Sequence, residues 1–332
     1  MSGETKSTTV ALGATGPTVS AIGLGCMGMS GMYGASDEEE GVRTIHRAIE
    51  RGVTLLDTGD FYGMGHNEML IGRAIRGRRD RVQLSVKFGA QRGPDGSWIG
   101  IDNRPVAVKT ALAYTLRRLG VDHVDVYRPA RLDPQVPIED TVGAIAEMVK
   151  AGYVRHVGLS EVSAATVRRA HAVHPIVDLQ IEHALVTRKP EATIFPALRE
   201  LGISATLYGV LSRGLLSGSK PTGAGDFRAY LPRFAGEAGA RNEALVAQLA
   251  SFAKERDLSP SQLAIAWSRA RCPDFVTLVG ARTVRQLDEA LGALEHPLSS
   301  ADVAALEALV PEDAIAGTRY AAPQMQHLDS ER

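Results

Sequence analysis

Three side chains that could move a proton lie near one another in the first third of the chain. Residues 57–68 read DTGDFYGMGHNE, in which Asp57 ends an apolar run and Tyr62 lies between glycines. Lys87 ends the next apolar run, at residues 82–87. If the two runs are neighbouring parallel strands, their carboxyl ends converge, and a carboxylate, an ammonium and a phenol meet.

Two interpretations of this cluster are open from the residues alone. A buried lysine kept charged by Asp57 would lower the pKa of the phenol from its ordinary value of about 10, so that Tyr62 could exchange a proton near neutral pH. Alternatively, Asp57 and Lys87 form a buried structural ion pair, and Tyr62 only lines the loop.

A glycine motif, GLGCMG at residues 23–28, matches the dinucleotide fingerprint G-x-G-x-x-G and follows a predicted strand. The fingerprint should open a helix at once, whereas residues 29–36 continue the loop and the helix begins near Asp37. A turn at a barrel mouth, where glycine lets the backbone approach a ligand, fits better than a Rossmann unit. The sequence also lacks the motifs of P-loop proteins, serine hydrolases and HExxH zinc proteases.

The elements that would position these residues repeat along the chain. Five predicted helices end in glycine, at Gly52, Gly77, Gly120, Gly152 and Gly202, and a β-branched run follows each within a few residues. Eight strands are predicted, at residues 19–24, 53–57, 82–87, 123–128, 154–160, 177–182, 203–208 and 275–279. Because strands that alternate with helices form parallel units and no linker interrupts their even spacing, a closed barrel is favoured over a doubly wound sheet.

We therefore predict an α/β fold, a (β/α)8 TIM barrel with a short N-terminal β-hairpin and a C-terminal helical tail. Residues 1–332 would form a single domain, with polar tails at about 1–9 and 318–332. The irregular segment 209–240 is rich in glycine and proline. It is either a loop that covers a ligand or a variable surface loop.

The composition argues against several classes of protein. With 37 Lys+Arg against 38 Asp+Glu, the net charge of −1 argues against a nucleic-acid partner. Cys26 and Cys272 are far apart, so neither a disulfide framework nor a metal site is predicted. The lack of a signal-peptide pattern and of an 18-residue apolar run predicts a cytoplasmic protein without a membrane partner. The oligomeric state is left open.

Several segments together resemble the aldo-keto reductases, in family order and over nearly the whole chain. They are residues 57–68, the strand that ends in Lys87, and residues 137–152, 157–161, 179–182 and 279–289. The resemblance implies a (β/α)8 barrel that binds NADPH across its carboxyl face and reduces an aldehyde or ketone by hydride transfer. It also implies that Tyr62 is the general acid, that Lys87 tunes it, and that Asp57 holds Lys87.

The resemblance implies the cofactor contacts as well. Ser160 and Gln180 resemble the residues that bind the nicotinamide carboxamide, and Tyr208 resembles the aromatic residue that stacks on the ring. Arg282 resembles the residue that binds the adenosine 2′-phosphate, for which a planar guanidinium is suited. The whole cofactor-binding set implied in this way is Gly25, Cys26, Met27, Asp57, Ser160, Glu161, Gln180, Tyr208, Gly209, Leu211, Arg213, Gly280, Arg282, Gln286 and Glu289.

The chain departs from the family pattern at the end of the fourth barrel strand. The family has a histidine there that donates a hydrogen bond to the substrate carbonyl, and alignment of residues 125–133 puts Ala130 in its place. Strand alternation also places Arg128 inward, where it could pair with Asp57 or another carboxylate, or contribute electrostatically. His183, where the family often has tyrosine, either acts from a neighbouring strand or packs away from the site.

Three functional hypotheses follow from these residues. The first is an NADPH-dependent reductase of a small-molecule carbonyl, with Tyr62 as general acid. The second is an NADPH-binding sensor or regulatory subunit with little turnover, since the histidine is missing. The third is a reductase in which Ala130 makes room for a bulkier or conjugated substrate. Tyr33, Phe88, Arg128 and Ala130 are predicted to line the substrate pocket.

Overall fold

The computed structural model describes residues 8–223 and 226–332. Its strands are β1 (Thr9–Ala11), β2 (Thr18–Ser20), β3 (Ile22–Gly25), β4 (Leu55–Gly59), β5 (Gln83–Phe88), β6 (Ala90–Arg92), β7 (Trp98–Ile101), β8 (Val124–Pro129), β9 (Val154–Ser160), β10 (Ile176–Glu182), β11 (Ser204–Tyr208) and β12 (Val276–Gly280). Strands β3, β4, β5, β8, β9, β10, β11 and β12 form a closed parallel barrel, in which β12 pairs with β3. The predicted (β/α)8 TIM barrel is confirmed.

The helices lie outside the barrel or beyond its last strand. They are α1 (Glu38–Glu50), α2 (His66–Ala74), α3 (Pro105–Leu119), α4 (Ile138–Lys150), α5 (Ala164–Val173), α6 (Pro190–Thr193), α7 (Phe195–Leu201), α8 (Gly236–Lys254), α9 (Pro260–Arg271), α10 (Val284–Gly292), α11 (Ser300–Leu309) and α12 (Ala322–Met325). All five glycines predicted to end helices have a positive φ, between 65° and 85°. Among the described residues, no helix combines the length and the hydrophobicity that crossing a bilayer requires.

An antiparallel hairpin of β1 and β2 closes the amino-terminal end of the barrel. Its buried side chains Val10 and Val19 cluster with Leu55 and Val177 from the barrel strands. The predicted N-terminal hairpin is therefore confirmed. The strand predicted at 19–24 divides in two, because Ser20 pairs with β1 whereas Ile22 already pairs with β12.

Residues of the barrel strands alternate between the barrel interior and the layer beneath the helices. Lys87 faces inward, so its neighbour Phe88 faces outward and stacks on Tyr127, with ring centroids 4.3 Å apart. The Tyr127 hydroxyl donates to the carbonyl oxygen of Val108 on α3, which places this pair beneath the helix. Phe88, predicted to line the substrate pocket, thus lies on the opposite face of β5 from Lys87.

The segment between β11 and α8 packs against the carboxyl end of the barrel as short 3-10 turns at Ser212–Gly214, Phe227–Tyr230 and Pro232–Phe234. Buried Arg233 donates to the hydroxyls of Thr187 and Ser212 and to the carbonyl oxygen of Val186. Helix α8 begins at Gly236, earlier than the sequence pattern indicated. These contacts favour a covering loop over a loose surface loop.

The C-terminal segment, residues 318–332, is bound to the barrel rather than being the polar tail that the sequence predicted. Asp329 accepts hydrogen bonds from the backbone amide and hydroxyl of Ser163 and from the hydroxyl of Thr166, at the start of α5. Arg319, only 5% exposed, forms ion pairs with Glu161. At the other terminus Thr9 already belongs to β1, and residues 1–7 lie outside the described part of the chain.

Candidate active site

The carboxyl ends of the barrel strands bring the predicted proton-transfer residues together. Parallel register sets Gly25 opposite Asp57, and Gly59 opposite Lys87, so the inward side chains of β4 and β5 meet. The Lys87 Nζ donates to Asp57 Oδ1 over 2.5 Å, and both side chains are at most 5% exposed. This buried ion pair is the centre of the site.

The second oxygen of Asp57 is also fully engaged. It accepts a hydrogen bond from the Ser85 hydroxyl at 2.9 Å and another from Gln180 Nε2 at 2.7 Å. A buried carboxylate needs donors that replace the water it has lost, and Asp57 has three. Asp57 therefore holds Lys87 and Gln180 in fixed positions relative to each other.

Tyr62 lies beside the ion pair in a tight turn after β4. Gly63 and Met64 both adopt left-handed backbone conformations in this turn, which lets it fold the buried Tyr62 ring back to 5.1 Å from Lys87 Nζ. Burial raises the pKa of Tyr62 well above its ordinary value, and the negative charge of Asp57 raises it further. The Lys87 ammonium, which donates to Asp57, does not offset these two effects, so the pKa of Tyr62 stays above the neutral range expected from the sequence. Tyr62 is therefore a protonated phenol at neutral pH.

Burial also lowers the pKa of Lys87, and the attraction of Asp57 only partly offsets that effect.

Cys26 directly follows β3 and is a buried thiol whose pKa is raised by burial. Its backbone amide donates to the carbonyl oxygen of Asp57. Met27 opens the short 3-10 turn that follows. These residues line the same end of the barrel as Asp57.

Ser160 and Gln180 stand next to each other in register at the ends of β9 and β10. The Ser160 hydroxyl is buried and, among the described residues, has no hydrogen-bond partner. A buried polar atom without a partner costs free energy unless a ligand satisfies it. Ser160 beside the Gln180 amide therefore suits a ligand with an amide group, as the predicted nicotinamide contact requires.

A second charged cluster surrounds Glu161 and Glu182 at the same rim. The sequence predicted only some of its residues. Glu161 accepts hydrogen bonds from both terminal nitrogens of Arg319 and from the Tyr208 hydroxyl. Burial acts to raise the pKa of Glu161, but Arg319 overcomes it and holds that pKa at about 2. Arg213 donates to Glu182 at 2.8 Å. Predicted as cofactor contacts, Glu161 and Arg213 are thus occupied by protein partners.

The loop after β11 is shaped around Glu182. Gly209 has φ +71°, and a Cβ there would stand 2.9 Å from Glu182 Cγ, so only glycine fits without a shift. Leu211, half-buried, packs against the apolar cores on both sides of this loop. Arg319 and Tyr320, which complete the cluster, were missed because no local pattern in the last 15 residues indicates that they fold back.

The predicted adenosine-binding residues lie at the end of β12 and on α10. Gly280 pairs with Gly25, and Arg282, two residues further on, donates from Nη1 to the carbonyl oxygen of Tyr33. Within the described ranges Arg282 forms no ion pair. Gln286 accepts a hydrogen bond from the Arg282 amide, whereas Glu289 accepts from Ser259 at the start of α9. Arg282 and Gln286 are brought together, and Glu289 is held by another helix.

Arg128 and His183 take up structural positions. Arg128 is fully buried inside the barrel, where its Nη2 lies 3.0 Å from Asp178 Oδ1 and donates to the Ser85 hydroxyl. Its acidic partner is therefore Asp178 and not Asp57. His183 stacks on Trp267, with its Nε2 2.9 Å from Glu191 Oε1, and so packs away from the barrel interior.

The remaining predicted pocket residues lie at the barrel mouth. Ala130 is 2% exposed, and its amide donates to the carbonyl oxygen of Phe88, just beyond the end of β8. Tyr33 is half-buried. Its backbone forms an isolated antiparallel β-bridge with Asp226, and its ring lies under the guanidinium of Arg228. In the part of the chain that the structure describes, no group of three or more His, Cys, Asp or Glu side chains is arranged to hold a metal ion.

Known proteins share both this sequence and this architecture. A probable aldo-keto reductase of Glycine max is 39% identical over 320 residues, which are 94% of this chain and 91% of that protein. The aldo-keto reductase yakc [NADP(+)] of Schizosaccharomyces pombe is 38% identical over 312 residues, with 91% of this chain and 92% of that protein covered.

Solved structures agree with these sequence relatives. The glycerol dehydrogenase of Gluconobacter oxydans superimposes with a TM-score of 0.83 at 25% identity, over 94% of this chain and 99% of that chain. An aldo-keto reductase of Bacillus halodurans, solved in its holo form, gives a TM-score of 0.75 at 27% identity, over 92% and 97%. The profile of the Aldo/keto reductase family matches residues 21–311. The chain therefore belongs to the aldo/keto reductase family and is an oxidoreductase.

Proposed function

We propose that this protein reduces an aldehyde or ketone to an alcohol with NADPH, and that Tyr62 is the general acid. The observation that carries the proposal is the buried cluster of Tyr62, Lys87 and Asp57 beside the unpartnered Ser160 hydroxyl. The substrate is a small carbonyl compound that enters the barrel mouth between Tyr33 and Ala130. The name of the yakc relative, which carries NADP(+), supports the choice of cofactor.

The residues present fit that cofactor along the strand ends. Ser160 and Gln180 would hold the carboxamide, Tyr208 would pack against the ring, and Arg282, which has no ion-pair partner among the described residues, would bind the 2′-phosphate. Gly25 and Gly280 leave the backbone between these groups open to approach. When bound, NADPH supplies the hydride that the carbonyl carbon accepts.

Tyr62 supplies the proton. Because burial and Asp57 raise its pKa, the phenol is protonated at neutral pH and can donate to the carbonyl oxygen as negative charge develops there. The phenolate left behind lies beside the Lys87 ammonium, whose charge stabilises it. Asp57 keeps Lys87 in place through the 2.5 Å hydrogen bond, so its role is positional.

We also propose that the protein acts in the cytoplasm. Both cysteines, Cys26 and Cys272, are buried free thiols in the structure. Free thiols are usual where glutathione and thioredoxin keep proteins reduced.

A single-turnover experiment tests the proposed activity. NADPH bound to the enzyme is mixed with aromatic and aliphatic aldehydes, and its oxidation is followed by absorbance and fluorescence. We expect oxidation in the natural protein and a loss of at least about 10²-fold in Tyr62→Phe. Tyr114→Phe, an exposed tyrosine on α3, is the matched control and should react at the natural rate. Tight NADPH binding without oxidation of any carbonyl would instead support a sensor, the alternative that Ala130 favours.

A further inference from the structure

Arg131, the residue after Ala130, is a half-buried cation at the barrel mouth without an acidic partner. Its Nη1 donates to the carbonyl oxygen of Ala130 at 2.6 Å, and its Nη2 donates to the Tyr320 hydroxyl at 3.3 Å. Among the described residues no carboxylate lies within 4 Å of it. The carboxylate of Glu161 raises the pKa of Arg131 from a distance but is paired with Arg319, so the Arg131 guanidinium can still bind negative charge from a ligand.

Three arginines of the Glu161 and Glu182 cluster, by contrast, are paired with carboxylates. Arg213 and Arg233 pair with Glu182, and Arg319 pairs with both Glu161 and Glu182. Arg131 therefore differs from them in charge balance, although all four lie at the same end of the barrel. Only two of its five N–H groups donate to the protein within the described ranges, which leaves others for a ligand.

Arg131 also lies close to the proton-transfer residues. Lys87 is opposite Arg128 in the register of β5 and β8, and the Ala130 amide is bonded to Phe88, so Arg131 follows directly beyond Lys87 at the mouth. In agreement with this placement, the charge of Arg131 lowers the pKa of both Tyr62 and Lys87.

Tyr320 holds the guanidinium in this position. The neighbouring Arg319 anchors the C-terminal segment through Glu161, and the Arg213 guanidinium lies 4.4 Å from the Tyr320 ring centroid. The Tyr320 hydroxyl is also 3.2 Å from that of Tyr208, the predicted partner of the nicotinamide ring. The C-terminal segment thus brings a phenol, and through it Arg131, to the place where the substrate carbonyl would lie.

We propose that Arg131, positioned by Tyr320, donates the hydrogen bond to the substrate carbonyl oxygen that a histidine at position 130 would otherwise donate. This inference rests on the proposed reductase function. Hydride reaches the carbonyl carbon from NADPH, the proton reaches the oxygen from Tyr62, and Arg131 keeps all its protons while it stabilises the developing oxyanion. Arg128 cannot take this role, because Asp178 and Ser85 hold it inside the barrel.

The test compares single-turnover NADPH oxidation in five variants. Arg131→Met, which removes charge and donors at similar length, should lower the rate about 10²-fold with the NADPH Kd within twofold. Arg131→Lys should retain part of the rate, and Tyr320→Phe should lose about 10-fold. Adding Ala130→His to Arg131→Met should restore at least 10-fold. Arg155→Met, an exposed arginine at the opposite end of β9, is the matched control and should behave like the natural protein.

A pH profile separates a catalytic from a merely structural role. In the reverse direction, alcohol oxidation, Tyr62 acts as the base, and loss of the nearby cation should move the pKa of the rate profile upward in Arg131→Met but not in Arg131→Lys. An Arg131→Met enzyme with an unchanged rate overturns this inference, as does a slow one that Ala130→His does not improve. Turnover that survives Tyr62→Phe, or is absent from the natural protein, overturns the proposed reductase mechanism itself.

Discussion

Replacing Glu161 by glutamine removes the negative charge to which the C-terminal segment is tied. In the native protein its carboxylate is fully buried and accepts hydrogen bonds from Arg319, Tyr208 and Ser330. Glutamine keeps the shape of the side chain but replaces one carboxylate oxygen, an acceptor, with an NH2 group, a donor. This NH2 group would face the donors that Glu161 now binds. Glu161→Gln therefore removes the charge of this ion pair with little change in volume.

The magnitude follows from the pKa of Glu161, which is held at about 2 against an ordinary value of 4.5. One pKa unit corresponds to about 1.4 kcal/mol, so the charge contributes about 3 kcal/mol to the free energy of unfolding at pH 7. Because the folded-state pKa is the lower one, this contribution is complete above pH 4.5 and declines as the pH falls towards 2. At pH 3 about 1.4 kcal/mol of it remains.

Urea unfolding of Glu161→Gln and the natural protein at pH 7, 5 and 3 measures this difference. We expect the variant to be less stable by about 3 kcal/mol at pH 7 and at pH 5. At pH 3 this difference in free energy of unfolding should be smaller by roughly half or more. Glu147→Gln, an exposed glutamate paired with Lys109, is the matched control and should show little change at any pH. If the difference in free energy of unfolding is the same at pH 7 and pH 3, the electrostatic explanation is wrong. If there is no difference at any pH, the ion pair does not stabilise the protein.

Two further predictions concern single residues. Arg282→Met should raise the Kd of NADPH about 10-fold or more while leaving that of NADH within twofold, because only NADPH carries the 2′-phosphate; equal losses in fluorescence titrations would contradict this assignment. Phe88→Leu should lower the free energy of unfolding by about 1–3 kcal/mol without changing the KM for carbonyl substrates, because the ring packs outside the barrel; a changed KM with unchanged stability would return Phe88 to the pocket.

The barrel was predictable because short local sequence patterns indicate where its helices end and its strands begin. Each glycine that ends a helix, such as Gly120, precedes a β-branched run, and this order implies parallel strands whose carboxyl ends meet. The meeting of Asp57, Lys87 and Gln180 follows from their positions at those ends. The same alternation that points Lys87 inward points Phe88 towards the helix layer, and this placement was predictable from the sequence.

Other features depend on distances along the chain that no local pattern encodes. Arg319 reaches Glu161 across 158 residues, and nothing in the composition of the last 15 residues indicates that they fold back. Arg128 could pair with either of two inward-facing carboxylates, Asp57 or Asp178. Only the stagger of the strands places Asp178 beside it. The pKa of Tyr62 likewise depends on its burial and on the nearby charge of Asp57, neither of which the sequence determines.

Proton donation by Tyr62 is the step on which the proposed NADPH-dependent carbonyl reduction depends. The most direct measurement is the single-turnover oxidation of enzyme-bound NADPH by an aromatic aldehyde, in the natural protein and in Tyr62→Phe. We expect rapid oxidation in the natural protein and a loss of at least about 10²-fold in Tyr62→Phe, with NADPH bound equally well by both. Oxidation at the same rate in Tyr62→Phe would contradict this role of Tyr62.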